Sequence, residues 1–545
     1  MLGLAAALPA FADTPSAKTT QADMTPLAVT VDVDATANRH PISPLIYGVN
    51  FASSEELDDL NAPINRSGGN STSMYNWQLK ARNAGKDWYY ESQPCDPKEI
   101  DDLHGDDFVQ ETKAGHAQPM ITIPMIGWVA KLGPNRQPLA SFSIGKYGLQ
   151  EDNDAQGFAD AGNGIALDGA PITDNDPNDA AMPDDVKTEQ AWVKHLTSTF
   201  GNADSGGVRY YLMDNEPSVW QLIHRDVHPA GAHAKEIADK VMAYSRAVKS
   251  VDPGAKVVAP EEWGWNGYLY SGFDQQFADT HGYDNAPDRT SETGGMDYVP
   301  WLLTQWKAAG HPIDVFSLHF YPQGGEYAEQ NGDNSAKIQL ERNRSTRDLW
   351  DPNYKDPTWI DSVVQLIPRM RHWVDTYYYP GTPIAITEYS WGGEKLMNGA
   401  TAQADILGIF GREGLDIATR WATPDPSTPV YKAMKLYRNY DNHKSAFGET
   451  SIAAKVPDPD TVSAFAASRA KDDAITVMVI NKQLDRPADL SLKVAHYMPG
   501  GTIETFQVAD NKLSRLAPGS YHDGTLDAKL PAQSITLFIL HGQSH

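Results

Sequence analysis

A chain of 545 residues is too long for one ordinary hydrophobic core, so two domains, or one large barrel with an addition, is the starting expectation. The formal charge of −26, from 71 acidic against 45 basic residues with no Lys/Arg-rich stripe, argues against nucleic acid and anionic membrane as partners. The single cysteine, Cys95, excludes an intramolecular disulfide and a zinc cluster built from cysteines.

In chain order, Leu2 to Ala12 is a short apolar run ending Ala10-Phe11-Ala12 before Asp13. It has the character of an export signal that lacks its basic start, so a secreted protein, extracellular or periplasmic, is expected. Residues 13–26 are rich in Thr, Ser, Ala and Pro without hydrophobic period, and 1–26 are read together as truncated signal and flexible leader. No later run of 18 or more apolar residues calls for a membrane span. Val29, Val31 and Val33 then alternate with Thr30, Asp32 and Asp34, a half-buried strand within a segment 27–41.

From residue 42 to 440 the pattern is one of buried strands separated by long helical or looped connections. The strands are predicted at 46–51, 63–66, 119–126, 208–214, 256–260, 313–320, 383–388 and 416–421. Between them, Ile237, Val241, Tyr244 and Val248 share one helical face, and Asp252-Pro253-Gly254 ends that helix ahead of a strand. From 441 to 545 the sequence alternates instead, at Ile475, Val477, Val479, then Leu490, Leu492, Val494, then Ile535, Leu537, Ile539. The expectation is an α/β fold: a TIM-like (β/α)8 barrel plus a C-terminal β-sandwich of short antiparallel strands, completed by the N-terminal strand.

Two predicted strands end in glutamates. Glu216 stands in Asp214-Asn215-Glu216-Pro217, where Pro217 blocks further pairing, and Glu388 follows the apolar run Pro383 to Thr387. Two carboxylates on strand ends of one barrel are the apparatus for glycosidic bond cleavage, one protonating the leaving oxygen and the other attacking the anomeric carbon. The bland alternative is a pair of solvated loop glutamates in an acidic protein. The 14 Trp and 24 Tyr exceed what a core needs and suit sugar stacking.

The chain resembles glycoside hydrolase family 44, endo-β-1,4-glucanases and xyloglucanases that pair a TIM-like barrel with a β-sandwich. The resemblance rests on Asn65-Arg66-Ser67-Gly68-Gly69-Asn70 with Tyr75-Asn76-Trp77, Leu212 to Pro217 with Trp220, Asp314 to Pro322, Leu349-Trp350-Asp351-Pro352, Ile386 to Glu394, and Leu436 to Asp441. It implies that Glu216 is the acid/base and Glu388 the nucleophile of a retaining enzyme. Ser67 departs from the leucine common in the family.

Around this pair, Asn215 is a candidate for the sugar 2-OH, and Arg66 for holding the nucleophile ionised. His319 and Tyr321, two apart on a strand, point to one side, and Trp421 is a candidate sugar floor. Each of these alone is as readily structural. Trp77, Trp128, Trp350, Trp359 and Trp391 are candidate cleft aromatics; Trp350 and Trp391, in loop-like sequence, are the two expected to be exposed, while packing is an equal reading for Trp128 and Trp359. No cofactor is required for the chemistry. Asp101, Asp102, Asp106 and Asp107 offer a possible structural Ca2+ site against the alternative of a solvated acidic loop, and no other metal ligand is assigned. The expected partner is a β-1,4-linked polysaccharide (glucan, xyloglucan, xylan or mannan) and the expected state a monomer. The rival readings are a non-catalytic polysaccharide-binding barrel and an inverting hydrolase with carboxyls roughly 6.5–9.5 Å apart.

Overall fold

The computed structural model describes residues 25–327, 334–522 and 524–542. The expected signal and nearly all of the leader lie outside the described residues. Strand β1 (Leu27–Asp34) comes first, and eight further strands close a barrel: β2 (Gly48–Asn50), β3 (Ile64–Ser67), β4 (Gln118–Ile123), β5 (Tyr210–Met213), β6 (Lys256–Glu262), β7 (Val315–Phe320), β8 (Ile384–Tyr389) and β9 (Ile417–Arg420). All neighbours pair parallel and in chain order, so each predicted barrel strand has its counterpart, with ends displaced by a few residues.

Helix α1 (Ala234–Val251) shows why such crossovers hold: Ile237, Val241, Tyr244 and Val248 are all buried on its inner face. Inside the barrel, Ile64, Met120, Tyr210, Leu212, Val258, Val315, Ala385 and Ile417 form one apolar cluster, as packed barrel interiors require. Gly48 is forced by this packing, because a Cβ there would stand 2.3 Å from Ile64 Cγ2 and 2.5 Å from the Ala418 carbonyl.

Beyond the barrel, β10 (Thr450–Lys455), β11 (Val462–Arg469), β12 (Ala474–Asn481), β13 (Ala488–Ala495), β14 (Pro499–Ala509), β15 (Thr525–Leu530) and β16 (Ser534–Gly542) build the second region. Strand β1 joins it, and Val29, Val31 and Val33 share a core with Val477, Val479, Leu490, Leu492 and Leu540. On one side β1 pairs antiparallel with β10, Val33 beside Ala454; on the other it runs parallel to β13, from Leu27 beside Ala488 to Asp34 beside Ala495. The whole barrel separates the two strands in sequence, so no hairpin dictates their direction.

Helix α2 (Met397–Glu413), between β8 and β9, welds the two regions. It is buried on almost every side, with Gly408 so close to Phe465 of β11 that a Cβ would meet the ring at 2.1 Å. Asp405 of this helix pairs with Lys482, beyond β12, at 2.6 Å, and both side chains are almost fully buried.

Candidate active site

The carboxyl ends of the barrel strands are irregular where the chemistry-bearing residues sit. Register shifts occur between Pro260 and Glu262 against β7, between Leu318 and His319 against β8, and between Ile386 and Tyr389 against β9. Such bulges re-aim side chains at barrel rims, and here they turn Glu261, His319 and Glu388 towards a common centre. After β5, Asp214 and Glu216 take left-handed backbone conformations, with φ of 65° and 45°. The turn is held by the Asp214 carboxylate, which accepts from Ser73 Oγ (2.5 Å), from the Asn215 amide (2.7 Å) and from the Met125 amide. Strained backbone pinned in this way is characteristic of functional positions.

At the centre, Arg66 Nη1 donates to Glu388 Oε2 at 2.7 Å, and Tyr321 Oη donates to Glu388 Oε1 at 2.7 Å. The other guanidinium nitrogen of Arg66 reaches Asn215 Oδ1 (3.0 Å) and Glu261 Oε2 (3.2 Å). His319 lies between carboxylates, with Nδ1 2.8 Å from Glu216 Oε1 and Nε2 3.2 Å from Glu261 Oε2. Oxygens of Glu216 and Glu388 and a ring nitrogen of His319 all lie within 4.8 Å of one another. Arg66, Glu261 and His319 are fully buried, whereas Glu216 and Glu388 keep side-chain exposures of 15% and 9%, so of these five only the two glutamates are within reach of a ligand.

The electrostatics follow from counting charges. Three carboxylates (Glu216, Glu261, Glu388) face two cations (Arg66, His319) in a desolvated pocket, so one proton is best retained on a carboxylate. Burial raises the proton affinity of Glu216 above that of an ordinary glutamate; the hydrogen bond and charge of His319 oppose this, and the Glu388 charge adds to it. Burial disfavours the charged His319 ring, but the Glu388 charge and the hydrogen bonds to Glu216 and Glu261 overcome that and raise it to about 9. Glu261 moves the other way: burial is outweighed by the hydrogen bond from His319 and the Arg66 charge, which hold it below the usual range. The retained proton therefore belongs on Glu216.

The structure thus brings together Arg66, Asn215, Glu216, His319, Tyr321 and Glu388. Asn215 is fixed by Arg66, by the Gly69 amide at 3.1 Å and by its own donation to Asn70 Oδ1 at 3.1 Å. Trp421 stands beside this loop, its ring 2.4 Å from where a Cβ on Gly69 would be, and is partly exposed at the rim. Two expectations fail. Trp391 is 2% exposed and donates from Nε1 to Ser345 Oγ at 3.0 Å, so it is a packing residue. Trp350 lies under the Arg412 guanidinium (4.1 Å to the ring centroid), which also covers Phe465, and belongs to the weld with the sandwich. Glycines and prolines nearby mimic loop exposure in the sequence without producing it.

Of the candidate cleft aromatics the exposed one is instead Trp359, 49% exposed, tilted against Trp263 at 6.4 Å between centroids and tied through Nε1 to Gln323 Oε1 at 3.2 Å. Gln323 in turn donates to the Tyr321 carbonyl at 2.8 Å, linking this tryptophan to the residue whose hydroxyl holds Glu388. Sequence reasoning also misses Glu261: ending the predicted strand at Pro260 leaves two glutamates, Glu261 and Glu262, unread at a strand end like the other two.

The four aspartates proposed for Ca2+ do not converge. Asp102 takes Arg82, Asp106 takes His195 at 2.8 Å, Asp107 takes Lys80 at 2.8 Å, and Asp101 is exposed. Glu216, His319 and Glu388 are close enough to surround a cation, but the Arg66 guanidinium already supplies positive charge there. His233, Asp288 and Glu292 form a further acid and histidine group, half at the surface.

Comparison with known proteins gives a consistent picture. Residues 81–324 match the sequence model of glycoside hydrolase family 44. A crystal structure of a bifunctional glucanase-xylanase from a metagenome library is 53% identical, with a TM-score of 0.91 over 95% of this chain and 99% of that one. A family 44 xyloglucanase from Paenibacillus polymyxa is 28% identical, with a TM-score of 0.76 over 94% of this chain and all of that one. Endoglucanase A of Paenibacillus lautus is 30% identical over 493 residues, which are 86% of this chain and 65% of that longer protein.

Proposed function

From the premise that this chain belongs to glycoside hydrolase family 44, we propose that it is a retaining endo-β-1,4-glycanase acting on cellulosic glucan and xyloglucan, with xylan or mannan as further substrates. The observation that carries the mechanism is the approach of a Glu216 oxygen and a Glu388 oxygen to within 4.8 Å, with both side chains facing one centre, as the paired carboxylates of double displacement require.

In the first step Glu388, ionised and held in plane by Arg66 and Tyr321, attacks the anomeric carbon while Glu216 gives its proton to the departing glycosidic oxygen. The new Glu216 carboxylate faces the charged His319 ring at 2.8 Å, which stabilises it as it forms. In the second step Glu216 takes a proton from water, the water oxygen attacks the anomeric carbon, and Glu388 leaves. Asn215 presents its amide beside this centre for the sugar 2-OH, Trp421 floors the sugar before the scissile bond, and Trp359 with Trp263 supports the chain further along the rim. The apolar run Leu2 to Ala12 supports an extracellular or periplasmic location, where such polymers are found.

Proton NMR of the first products from a panel of β-1,4-glucan, xyloglucan, xylan and mannan checks this reading. The β-anomer should appear before mutarotation, with a fast fall in polymer viscosity; an α-anomer first, or no cleavage of any member, would remove the proposal.

A further inference from the structure

The excursion between β3 and β4 carries a second cluster that the hydrolysis does not use. Cys95 follows the short strand Glu91–Pro94, Asp102 closes the 3-10 turn Ile100–Asp102, and His104 immediately precedes the helix Gly105–Ala114. The Cys95 sulfur, an Asp102 carboxylate oxygen and a ring nitrogen of His104 all lie within 4.8 Å of one another. Asp102 and His104 are 8% and 3% exposed, and Cys95 is half-buried.

The state of His104 is the second observation. Its Nδ1 lies 3.1 Å from Ser67 Oγ, while its Nε2 is buried with no hydrogen-bond partner among the described residues. An unpartnered buried nitrogen is destabilising unless something fills its place. Phe51 and Tyr75 fix the plane of the ring from 5.7 and 5.1 Å. In the tautomer whose Nδ1–H donates to Ser67 Oγ, Nε2 carries a bare lone pair. A hydrogen bond on the far nitrogen of this kind is what orients a metal-ligating histidine. Asp102 is likewise pre-set, its oxygens held by Arg82 and by the Asp96 amide at 2.8 Å, each retaining a second lone pair.

We propose that Cys95, Asp102 and His104 bind a thiophilic divalent cation of the zinc type, with solvent completing the fourth position at the half-buried cysteine. Binding replaces the thiol proton, which leaves to solvent, by a metal–sulfur bond, and no oxidant or reductant takes part. Because the thiol must shed its proton to ligate, affinity should rise with pH. The cation would clip this excursion to Ser67, the neighbour of Arg66.

Cobalt(II) titration of the intact, metal-stripped chain tests this directly, because Cys95 is the only cysteine and a thiolate-to-cobalt charge-transfer band has no other source. The expected result is a band saturating at a single equivalent at mildly alkaline pH, displaced by Zn2+, absent in Cys95→Ser, and needing about 10–100-fold more cobalt in Ser67→Ala. Folded wild-type protein that gives no band with excess cobalt overturns the proposal. So does a band of undiminished affinity in His104→Gln, which would mark a simple thiol adduct. Circular dichroism confirms the fold of each variant; should His104→Gln not fold, Ser67→Ala with wild-type cobalt affinity is the overturning result.

Discussion

Two regions of this molecule bury ion pairs, and they do so to opposite ends. At the weld, Lys482 and Asp405 meet one to one at 2.6 Å, and Thr346 Oγ1 and the Pro459 carbonyl complete their hydrogen bonds. At the barrel mouth, three carboxylates share two cations, so the charges match only while one carboxyl retains a proton. A matched pair has one protonation state and serves as a fixed joint. The mismatched cluster has a proton that can leave and return, which acid/base catalysis needs.

The largest expected effect comes from removing the attacking charge. Glu388→Gln keeps the shape and the Arg66 contact but removes the proposed nucleophile, and kcat should fall on the order of 10^4-fold, about 5.5 kcal/mol of barrier. Glycan binding and the melting temperature should stay close to wild type. Near-normal turnover on the best polymer would mean that Glu388 is not the nucleophile.

Next comes Glu216→Ala. Losing a general acid should cost about 10^2–10^4-fold on natural polymers and far less on aryl glycosides whose leaving group departs unprotonated. Added azide should enter the emptied space and yield a β-glycosyl azide. Equal losses on both substrates without azide product would take the acid/base role away from this residue.

At the weld the prediction concerns stability and not rate. Asp405→Ala leaves Lys482 charged and buried with no carboxylate, which should cost about 3–5 kcal/mol, while kcat of the protein that remains folded is unchanged. A melting temperature equal to wild type would show that the joint is dispensable, and the contrast between the two regions would lose its structural half.

The architecture is legible in the sequence because barrel strands buried on both faces read as continuous apolar runs, and eight of them appear in order. Glu216 and Glu388 are legible for a local reason: each ends such a run beside a residue that stops it. Glu261 is not, because its bulge extends β6 past Pro260, and a register shift depends on neighbouring strands that sequence does not display. The direction of β1 beside β13 has the same origin in long-range pairing. Trp391 is enclosed where exposure is expected, and Trp359, for which packing is an equal reading, protrudes, since whether a loop tryptophan packs or protrudes is decided by what lies above it.

His319 sharpens the electrostatic half of the comparison. Its charge and hydrogen bond draw Glu216 down against the effect of burial, so His319→Gln should let Glu216 hold its proton more tightly and move the basic limb of kcat/KM to higher pH. The same substitution removes a linkage. A histidine raised from 6.5 to about 9 on folding contributes stability that is complete below 6.5 and lost as pH rises through about 9. Wild-type protein should therefore lose stability across that window through this group, and the variant should lack that component. An unmoved basic limb in a folded His319→Gln protein would make the histidine merely structural.

The smallest expected effect separates platform from packing among the tryptophans. Trp359 projects from the rim at 49% exposure and is held by Gln323, whereas Trp391 is enclosed at 2%. Aromatic platforms beneath nucleic-acid bases are worth about 1–3 kcal/mol, and a sugar ring, lacking a π face, should fall at the low end of that range. Trp359→Ala should accordingly raise KM for long glucan or xyloglucan oligosaccharides roughly fivefold, about 1 kcal/mol, with kcat and retained anomeric configuration unchanged. Trp391→Ala should instead lower the melting temperature through its lost packing in the core, with KM near wild type. Oligosaccharide kinetics beside thermal melts distinguish the two, and a KM that responds to Trp391 but not to Trp359 would reverse the assignment of the cleft.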